Sequence, residues 1–208
     1  EEIKGKALII ATGTTPNALG VPGEDEFRGR GVSYCATCDG AFFRDKDVVV
    51  VGGGNSAAEG ALFMTRFARK VYVVHRRDRL RATKILQEHL AAHSKIELLW
   101  NKVVKEIQGG AFVERILLAD TKGGPDLAID ASVVFVYIGN SPNSGWLRSH
   151  LELDERGYII TDERMQTSLP GVFAAGDVRR TPLRQVVTAV ADGAVAAVEA
   201  DSFLGGIV

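Results

Sequence analysis

The chain has 208 residues, of which 46% are apolar and 25% charged, and its net charge is −1 at pH 7. This length and composition favour one large or two small globular domains, and the balanced charge gives no reason to expect nucleic acid or an anionic membrane as a partner. No apolar run approaches the ~18 residues of a membrane span, and the charged start Glu1-Glu2-Ile3-Lys4 is unlike a signal peptide. We therefore expect a cytoplasmic protein.

The first predicted element is an apolar strand at residues 7–10, which runs into a turn of the pattern G-x-x-P-N that begins at Gly13. The same pattern follows a second apolar strand, at residues 133–138, and begins at Gly139. We interpret both turns as the closing ends of dinucleotide-binding units, with Gly13 and Gly139 as candidate cofactor-binding residues. The alternative is chance similarity, because turns with glycine and proline are common.

Both cysteines of the chain follow in the sequence Cys35-Ala-Thr-Cys38-Asp39. A C-x-x-C pair next to a dinucleotide-binding pattern is typical of a redox dithiol, which opens and closes a small disulfide ring. A helix N-terminus or a neighbouring charge can keep one of the two thiols ionised. The alternatives are half of a zinc site or two inert buried thiols. Zinc needs about four ligands, and no second pair of ligands lies at a suitable spacing, so we favour the dithiol.

A predicted buried strand at residues 47–51 leads into a glycine loop of the pattern G-x-G-x-x-A. The first glycine allows a tight turn, the second lets the backbone approach a pyrophosphate, and the small last residue lets a helix pack on the strand. A helix predicted at 55–69 and a strand at 70–75 supply the context that this pattern requires. The candidate cofactor-binding residues are Gly52, Gly54, Asn55, Ser56 and Ala57.

The next candidate site is the arginine-rich segment at the end of the second strand, where NAD-binding units usually carry an acidic residue. It reads His75-Arg76-Arg77-Asp78-Arg79-Leu80-Arg81. A guanidinium group matches a phosphate dianion in charge and geometry, so His75, Arg76, Arg77 and Arg81 predict a 2′-phosphate site and thus NADPH. The alternatives are a solvated helix start and a basic patch for nucleic acid; the near-neutral chain argues against the latter.

The remaining pattern predicts a helix at 82–93, a strand at 96–99, and an antiparallel meander at 103–108, 113–120 and 127–129. After a short strand that ends at Gly176-Asp177, the residues Arg184-Gln185-Val186 open a long alanine-rich helix at 186–203. Asp177 can accept a hydrogen bond from a polyol, and the helix N-terminus can face an electron-accepting ring. The alternative for Asp177 is a turn or cap residue.

Five motifs occur together in one order: ATGTTPN (11–17), CATCDG (35–40), GGGNSA (52–57), HRRDRLRA (75–82), and GVFAAGDV (171–178) followed by LRQVVTAVADG (183–193). In this combination the chain resembles the low-molecular-weight thioredoxin reductases over essentially its whole length. The resemblance implies an α/β fold: a Rossmann-like three-layer (ββα) NADPH-binding domain at 18–141, with a small meander and the dithiol, inserted in a partial FAD-binding domain at 1–17 and 142–208. The first third of the family's sequence, with its FAD-fingerprint glycines, has no counterpart, so we expect a truncated piece.

The resemblance also implies a mechanism in which electrons pass from NADPH through FAD to the Cys35–Cys38 disulfide and on to thioredoxin. It places Cys38 towards the flavin, Cys35 as the thiol that attacks the partner, and Asp39 as the proton donor or acceptor. The flavin site takes in Gly176, Asp177, Arg184, Gln185 and Val186. The family is typically a homodimer, and its NADPH domain rotates about links that correspond to residues 17–20 and 140–143.

Two alternatives remain at this point. The chain binds NADPH as a module without turnover, or it belongs to a related flavin enzyme with another disulfide substrate. Without a second glycine fingerprint, we expect it to bind NADPH better than FAD and to have little turnover by itself. We also expect an exposed edge at the strand 7–10, which favours association. No metal, nucleic acid or membrane is expected.

Overall fold

The computed structural model describes residues 3–206 of the chain. They divide into two compact units, one of residues 17–139 and one that combines the residues up to 16 with those from 140 onwards. The domain limits predicted from the sequence lie after residues 17 and 141. Which dinucleotide each unit binds stays a prediction.

The strands, in chain order, are β1 (Leu8–Ile10), β2 (Thr14–Pro16), β3 (Val32–Ser33), β4 (Asp47–Gly52), β5 (Lys70–His75), β6 (Ile96–Trp100), β7 (Lys102–Gly109), β8 (Val113–Asp120), β9 (Leu127–Asp130), β10 (Val133–Tyr137), β11 (Asn140–Pro142) and β12 (Val172–Ala174). The helices are α1 (Ala36–Asp39), α2 (Asn55–Met64), α3 (Lys84–Ala92) and α4 (Val186–Leu204). Short 3₁₀ turns cover Gly40–Phe43, Gly145–Leu147 and Gly176–Val178.

The unit of residues 17–139 is built on a parallel sheet with the strand order β3-β10-β4-β5-β6. Successive valines of β4 point to opposite faces: Val48 and Val50 pack on the helical side, with Ala57, Ala58 and Leu90, whereas Val49 and Val51 pack on the meander β7-β8-β9. Both faces are covered, which explains why β4 is an unbroken apolar run. The predicted three-layer ββα fold is confirmed.

Helix α2 ends at Met64, five residues earlier than the sequence predicts. The Nζ of Lys95 donates hydrogen bonds to the carbonyl oxygens of Thr65 and Ala68, at 2.9 and 2.8 Å. The Thr65 hydroxyl also donates to the Leu62 carbonyl at 2.7 Å, which closes the last turn. A lysine far along the chain therefore stabilises the turn that replaces the last part of the predicted helix.

The second unit contains two small sheets and α4. Strand β1 pairs in parallel with β12, and β2 pairs antiparallel with β11. Helix α4 packs Ala196 and Ala200 against Phe173 of β12. In the part of the chain that the structure describes, β1 has no other strand partner, and its Leu8 is 51% exposed. Across residues 3–206, no helix combines the length and the apolar character needed to cross a membrane.

Candidate dithiol and dinucleotide sites

The two cysteines form a disulfide, with their Cα atoms 5.3 Å apart. Cys35 directly precedes α1, and its Sγ accepts a hydrogen bond from the backbone N–H of Cys38 at 3.2 Å. The predicted Cys35–Cys38 pairing is therefore confirmed. The N–H of Cys38 is positioned to stabilise negative charge on the Cys35 sulfur when the disulfide is open.

Asp39 is linked to the dithiol through Ser33, a residue that the sequence analysis missed. The Ser33 hydroxyl donates to Asp39 Oδ2 at 2.7 Å and accepts from the backbone N–H of Cys35 at 3.1 Å. Ser33 ends the buried strand β3 and is itself buried. A serine two residues before a helix N-cap is a recognisable signal for such side chain–backbone bonds. Ser33 thus connects the carboxylate of Asp39, at the end of α1, with the backbone of Cys35 at the start of α1. We call α1, which carries Cys38 and is capped by Cys35, the dithiol helix.

Tyr137 at the end of β10 is a second residue that the sequence analysis missed. Its Oη accepts a hydrogen bond from the backbone N–H of Ala36 at 2.7 Å, and its ring covers Gly60 of α2, where an added Cβ would lie 2.8 Å from Cε2. Burial raises the pKa of the Tyr137 phenol, the Ala36 N–H opposes this, and the charge of Asp39 adds to it. The tyrosine therefore stays protonated, and its hydroxyl holds the N-terminus of α1 in place by a hydrogen bond.

The glycine loop has the geometry that the fingerprint predicts. Gly52 adopts a φ of +152°, and a Cβ there would lie 2.4 Å from the Tyr137 carbonyl oxygen and 2.8 Å from the Ala57 Cβ. At Gly54 an added Cβ meets nothing within 4 Å, so the backbone faces open space. Among the described residues no side chain caps α2 at Gly54, which leaves its first N–H groups free to bind an anion. Asn55 and Ser56 are exposed on this turn.

A cavity of about 340 Å³ lies beside this loop, lined by Gly52, Gly53, His75, Arg76 and Arg81 among others. Arg76, Arg77 and Arg81 have exposed side chains, and within residues 3–206 none of them forms a salt bridge. Arg76 and Arg81 line the cavity, and Arg77 follows Arg76 directly after β5. Unpaired guanidinium groups match a phosphate dianion in charge and geometry.

His75 differs from the arginines because it is buried. Its Nε2 has no hydrogen-bond partner among the described residues, and burial lowers its pKa, helped by the charges of Arg81, Arg76 and Arg77. The imidazole is therefore neutral at pH 7 and contributes no charge to the predicted phosphate site. It lines the cavity as a packing residue, and its role towards a nucleotide stays a prediction.

In the second unit the structure brings together the segments predicted to meet the flavin. The side chain of Arg184 lies over the ring of Tyr158, at 4.1 Å from the centroid, and its Nε donates to the Asp177 carbonyl at 3.5 Å. Gln185 caps α4 in a reciprocal pair with Thr188. Val186, the first residue of α4, is 81% exposed.

A buried ion pair supports this arrangement and was also missed. Arg179 donates from Nε and Nη2 to Asp192, at 2.6 and 2.9 Å, and the Gly176 N–H donates to the same carboxylate at 3.1 Å. Gly176 itself has a φ of +74°. The hydrogen bonds from Arg179 lower the pKa of Asp192 despite its burial. The pair fixes the turn Gly176–Val178 to the middle of α4.

Gly13 and Gly139, the glycines of the two closing turns, adopt left-handed conformations with φ of +67° and +115°. The Gly13 carbonyl accepts the Asn143 N–H at 3.0 Å, and the Gly139 carbonyl accepts the Asn17 N–H at 2.9 Å. Both glycines thus shape the backbone of their turns. Their contact with a cofactor stays a prediction.

The family model for pyridine nucleotide-disulphide oxidoreductases matches residues 1–193. The chain therefore belongs to the pyridine nucleotide-disulphide oxidoreductase family. Among its relatives, a thioredoxin reductase from Peptoclostridium litorale is 50% identical over 98% of this chain and 66% of its own length. A thioredoxin reductase from Bacillus subtilis is also 50% identical, over 95% of this chain and 63% of its own length.

The structure is similar to that of thioredoxin reductase from Streptococcus pyogenes, with a TM-score of 0.91 and 51% sequence identity. The match covers 96% of this chain and 66% of that protein. The chain thus spans just under two thirds of the length of the relatives that it matches.

Proposed function

We propose that this chain supplies the NADPH-binding unit and the redox dithiol of a thioredoxin-disulfide reductase. The observation that carries the proposal is that one compact unit holds a C-x-x-C disulfide, an open glycine loop and three unpaired arginines. The thioredoxin reductases at about half identity support the same assignment. FAD and NADPH are the cofactors of this family.

The proposed NADPH site consists of the glycine loop and the cavity beside it. The backbone of Gly52–Ala57 would hold the pyrophosphate, because Gly54 is open and the first N–H groups of α2 are uncapped. Arg76, Arg77 and Arg81 would bind the 2′-phosphate, since their charges are unpaired within the described chain.

For FAD, the described residues fit the flavin end. Asp177 is half-exposed at a turn, Arg184 is held over Tyr158, and the exposed Val186 offers an apolar surface at the N-terminus of α4. Asp177 would accept from a polyol hydroxyl, and the α4 N-terminus would face the ring. When bound, NADPH and FAD would together supply the two electrons that open the disulfide.

The thiol chemistry belongs to the chain's own residues. In the reduced chain, the thiolate of Cys35 attacks one sulfur of the partner's disulfide; a mixed disulfide forms, and the other partner sulfur leaves as a thiolate and takes up a proton. The Cys38 thiolate then attacks Cys35 Sγ, which restores the Cys35–Cys38 bond and releases the second partner thiolate. The partner gains two electrons and two protons, and Asp39, which accepts a hydrogen bond from Ser33, would exchange these protons.

The partner in this proposal is thioredoxin or a thioredoxin-like disulfide protein, and the complete enzyme is a cytoplasmic homodimer. Phe42, which lies four residues after Cys38, is 82% exposed. A large exposed aromatic side chain close in sequence to a reactive disulfide would be a suitable anchor for a protein partner.

The experiment uses thiol transfer, which needs neither nucleotide nor flavin. The chain is reduced, freed of reductant and mixed with oxidised thioredoxin. Cys38→Ser should accumulate a mixed disulfide through Cys35, because the resolving thiol is missing, whereas Cys35→Ser should not. Mass spectrometry detects the adduct, and oxidised glutathione serves as the small-substrate control.

Equal trapping by both variants would contradict the assigned roles of Cys35 and Cys38. Trapping of glutathione but not of thioredoxin would favour a related flavin enzyme with another disulfide substrate. A chain that binds NADPH yet exchanges thiols with neither would be a binding module without turnover.

A further inference from the structure

The arginine loop, defined here as residues 76–83 between β5 and α3, is tied to the glycine loop by three hydrogen bonds. The Gly53 carbonyl accepts the backbone N–H groups of Arg81 and Ala82, at 2.6 and 3.0 Å. Asn55 Oδ1 accepts the backbone N–H of Thr83 at 2.9 Å. Helix α3 begins at Lys84, two residues later than predicted, and the N–H groups of residues 81–83 before it are directed to the glycine loop.

Packing supports the same attachment. A Cβ at Gly53 would lie 2.3 Å from Cε1 of His75, so the imidazole rests directly on the glycine backbone. Leu80 and Ala82 are 7% and 5% exposed and belong to the core cluster that contains Ala57. The backbone of the arginine loop is thus packed against the glycine loop and the core, whereas its guanidinium groups remain exposed.

We propose that Asn55 is a positioning residue that sets the preference for NADPH over NADH. This inference rests on the proposed NADPH site. Oδ1 of Asn55 is occupied by Thr83 and holds the arginine loop, whereas the pyrophosphate common to both nucleotides would be bound by backbone N–H groups. Loss of the Asn55 acceptor therefore acts on the 2′-phosphate end of the site, and NADH, which lacks that phosphate, is insensitive to it.

The first test compares nucleotide affinities of the chain as it is by isothermal titration calorimetry. Asn55→Ala should weaken NADPH about three- to tenfold, the value of one hydrogen bond, and NADH less than about twofold. Asn55→Asp keeps an acceptor for the Thr83 N–H, so the ratio of the two affinities should recover, although its charge near the phosphates weakens both nucleotides. The double variant Arg76→Ala, Arg77→Ala is the reference for complete loss of the preference for NADPH over NADH.

The second test removes the same bond from its other side. Thr83 has a φ of −58°, which suits proline, so Thr83→Pro deletes the N–H donor and should reproduce the effect of Asn55→Ala. Thr83→Ala keeps the donor and is the matched control, which should retain the preference. Ser56→Ala, on the same helical turn without a bond to the arginine loop, should affect both nucleotides alike.

Four outcomes decide the matter. Selective weakening of NADPH by Asn55→Ala and Thr83→Pro, with recovery in Asn55→Asp, supports the inference. Equal weakening of both nucleotides by Asn55→Ala, or no weakening at all, overturns it while the NADPH site stands. No preference for NADPH in the unaltered chain overturns the proposed site together with the inference. If Thr83→Pro lowers the melting temperature sharply, the comparison of Asn55→Ala with Asn55→Asp decides by itself.

Discussion

At the scale of single residues, Tyr137 connects the dithiol helix with the glycine loop. Its Oη accepts the Ala36 N–H at 2.7 Å, and its carbonyl oxygen lies 2.4 Å from the position that a Cβ at Gly52 would take. Ala36 is 0% exposed, so water cannot replace the phenol as the acceptor. One residue, through its hydroxyl and its backbone carbonyl, therefore connects the start of α1 with the loop that would hold the nucleotide.

Tyr137→Phe should loosen the dithiol helix. The Ala36 N–H would remain buried without an acceptor, which costs about 1–3 kcal/mol of unfolding free energy. The Cys35–Cys38 disulfide should then be reduced faster by dithiothreitol, because the segment that carries it opens more readily. Urea denaturation gives the free energy, and a thiol reagent follows the reduction rate.

Tyr34→Phe is the matched control for this prediction. The Tyr34 hydroxyl likewise forms one hydrogen bond, here as the donor, to Glu24 Oε1 at 2.9 Å, and burial together with Glu24 raises the pKa of Tyr34 to about 12. Its hydroxyl bonds to Glu24 and not to the N-terminus of α1, so this variant should lose some stability and keep the normal reduction rate. The same acceleration in both variants would mean that general destabilisation, and not the Ala36 bond, opens the disulfide.

At the scale of elements, α4 is attached through one buried ion pair and one more exposed pair. Asp192, with 9% exposure, accepts two hydrogen bonds from Arg179 and one from Gly176. Seven residues further along, about two helical turns, Glu199 pairs with Arg164, whose side chain is 48% exposed. Buried charged hydrogen bonds contribute more than exposed ion pairs, so the first pair should dominate the attachment.

Asp192→Asn should cost about 1–3 kcal/mol of unfolding free energy at pH 7, because Arg179 loses its carboxylate. The folded-state pKa of Asp192 lies below its unfolded value, so its stabilisation is complete above that unfolded value, about pH 4, and is lost as the pH falls through the folded pKa. The difference between variant and unaltered chain should therefore shrink in acid. Denaturation at a series of pH values measures it.

Glu199→Gln on the same helix is the control, with an expected cost of about 0–1 kcal/mol. A cost as large as that of Asp192→Asn would argue against burial as the deciding factor. A difference for Asp192→Asn that does not change with pH would show that the carboxylate does not titrate in the predicted direction.

At the scale of the whole molecule, the unit that contains β1 and α4 exposes unusual apolar surface. Leu8 and Ile9 of β1 are 51% and 40% exposed, and Val187 and Val190 of α4 are 71% and 66% exposed. Strand β1 pairs only with β12 in the part of the chain described here. An unpaired apolar strand edge is a template for association between copies.

Ile9→Lys should therefore reduce self-association of the purified chain, because a charge on the strand opposes pairing with a second edge. Sedimentation velocity over a concentration series measures the effect. Ile85→Lys is the matched control: Ile85 is 61% exposed, but it lies on helix α3 of the other unit. A monomeric unaltered chain, or equal effects of the two lysines, would contradict the edge as the cause.

The sequence indicated those features whose residues are contiguous. The strand β4, the loop Gly52–Ala57 and the pair Cys35–Cys38 each depend on neighbours in the chain, so periodicity and spacing were sufficient to find them. The alternation of Val48 to Val51 between two buried faces could also be expected from the unbroken apolar run. The three-layer fold and the disulfide were confirmed, whereas the roles of the cofactor residues remain predictions.

The supporting contacts were decided by the tertiary structure alone, because their partners are far apart in sequence. The Ala36 N–H meets Tyr137 across 101 positions, and Thr83 meets Asn55 across 28. The end of α2 depends on Lys95, which is 30 positions from Thr65. Local propensity cannot predict such pairs, since a backbone group at a helix end or loop takes whichever acceptor or donor the packed layers bring within about 3 Å. The sequence determined which chemical groups are present and in which motifs; the packing of the layers decided which residues hold them in place.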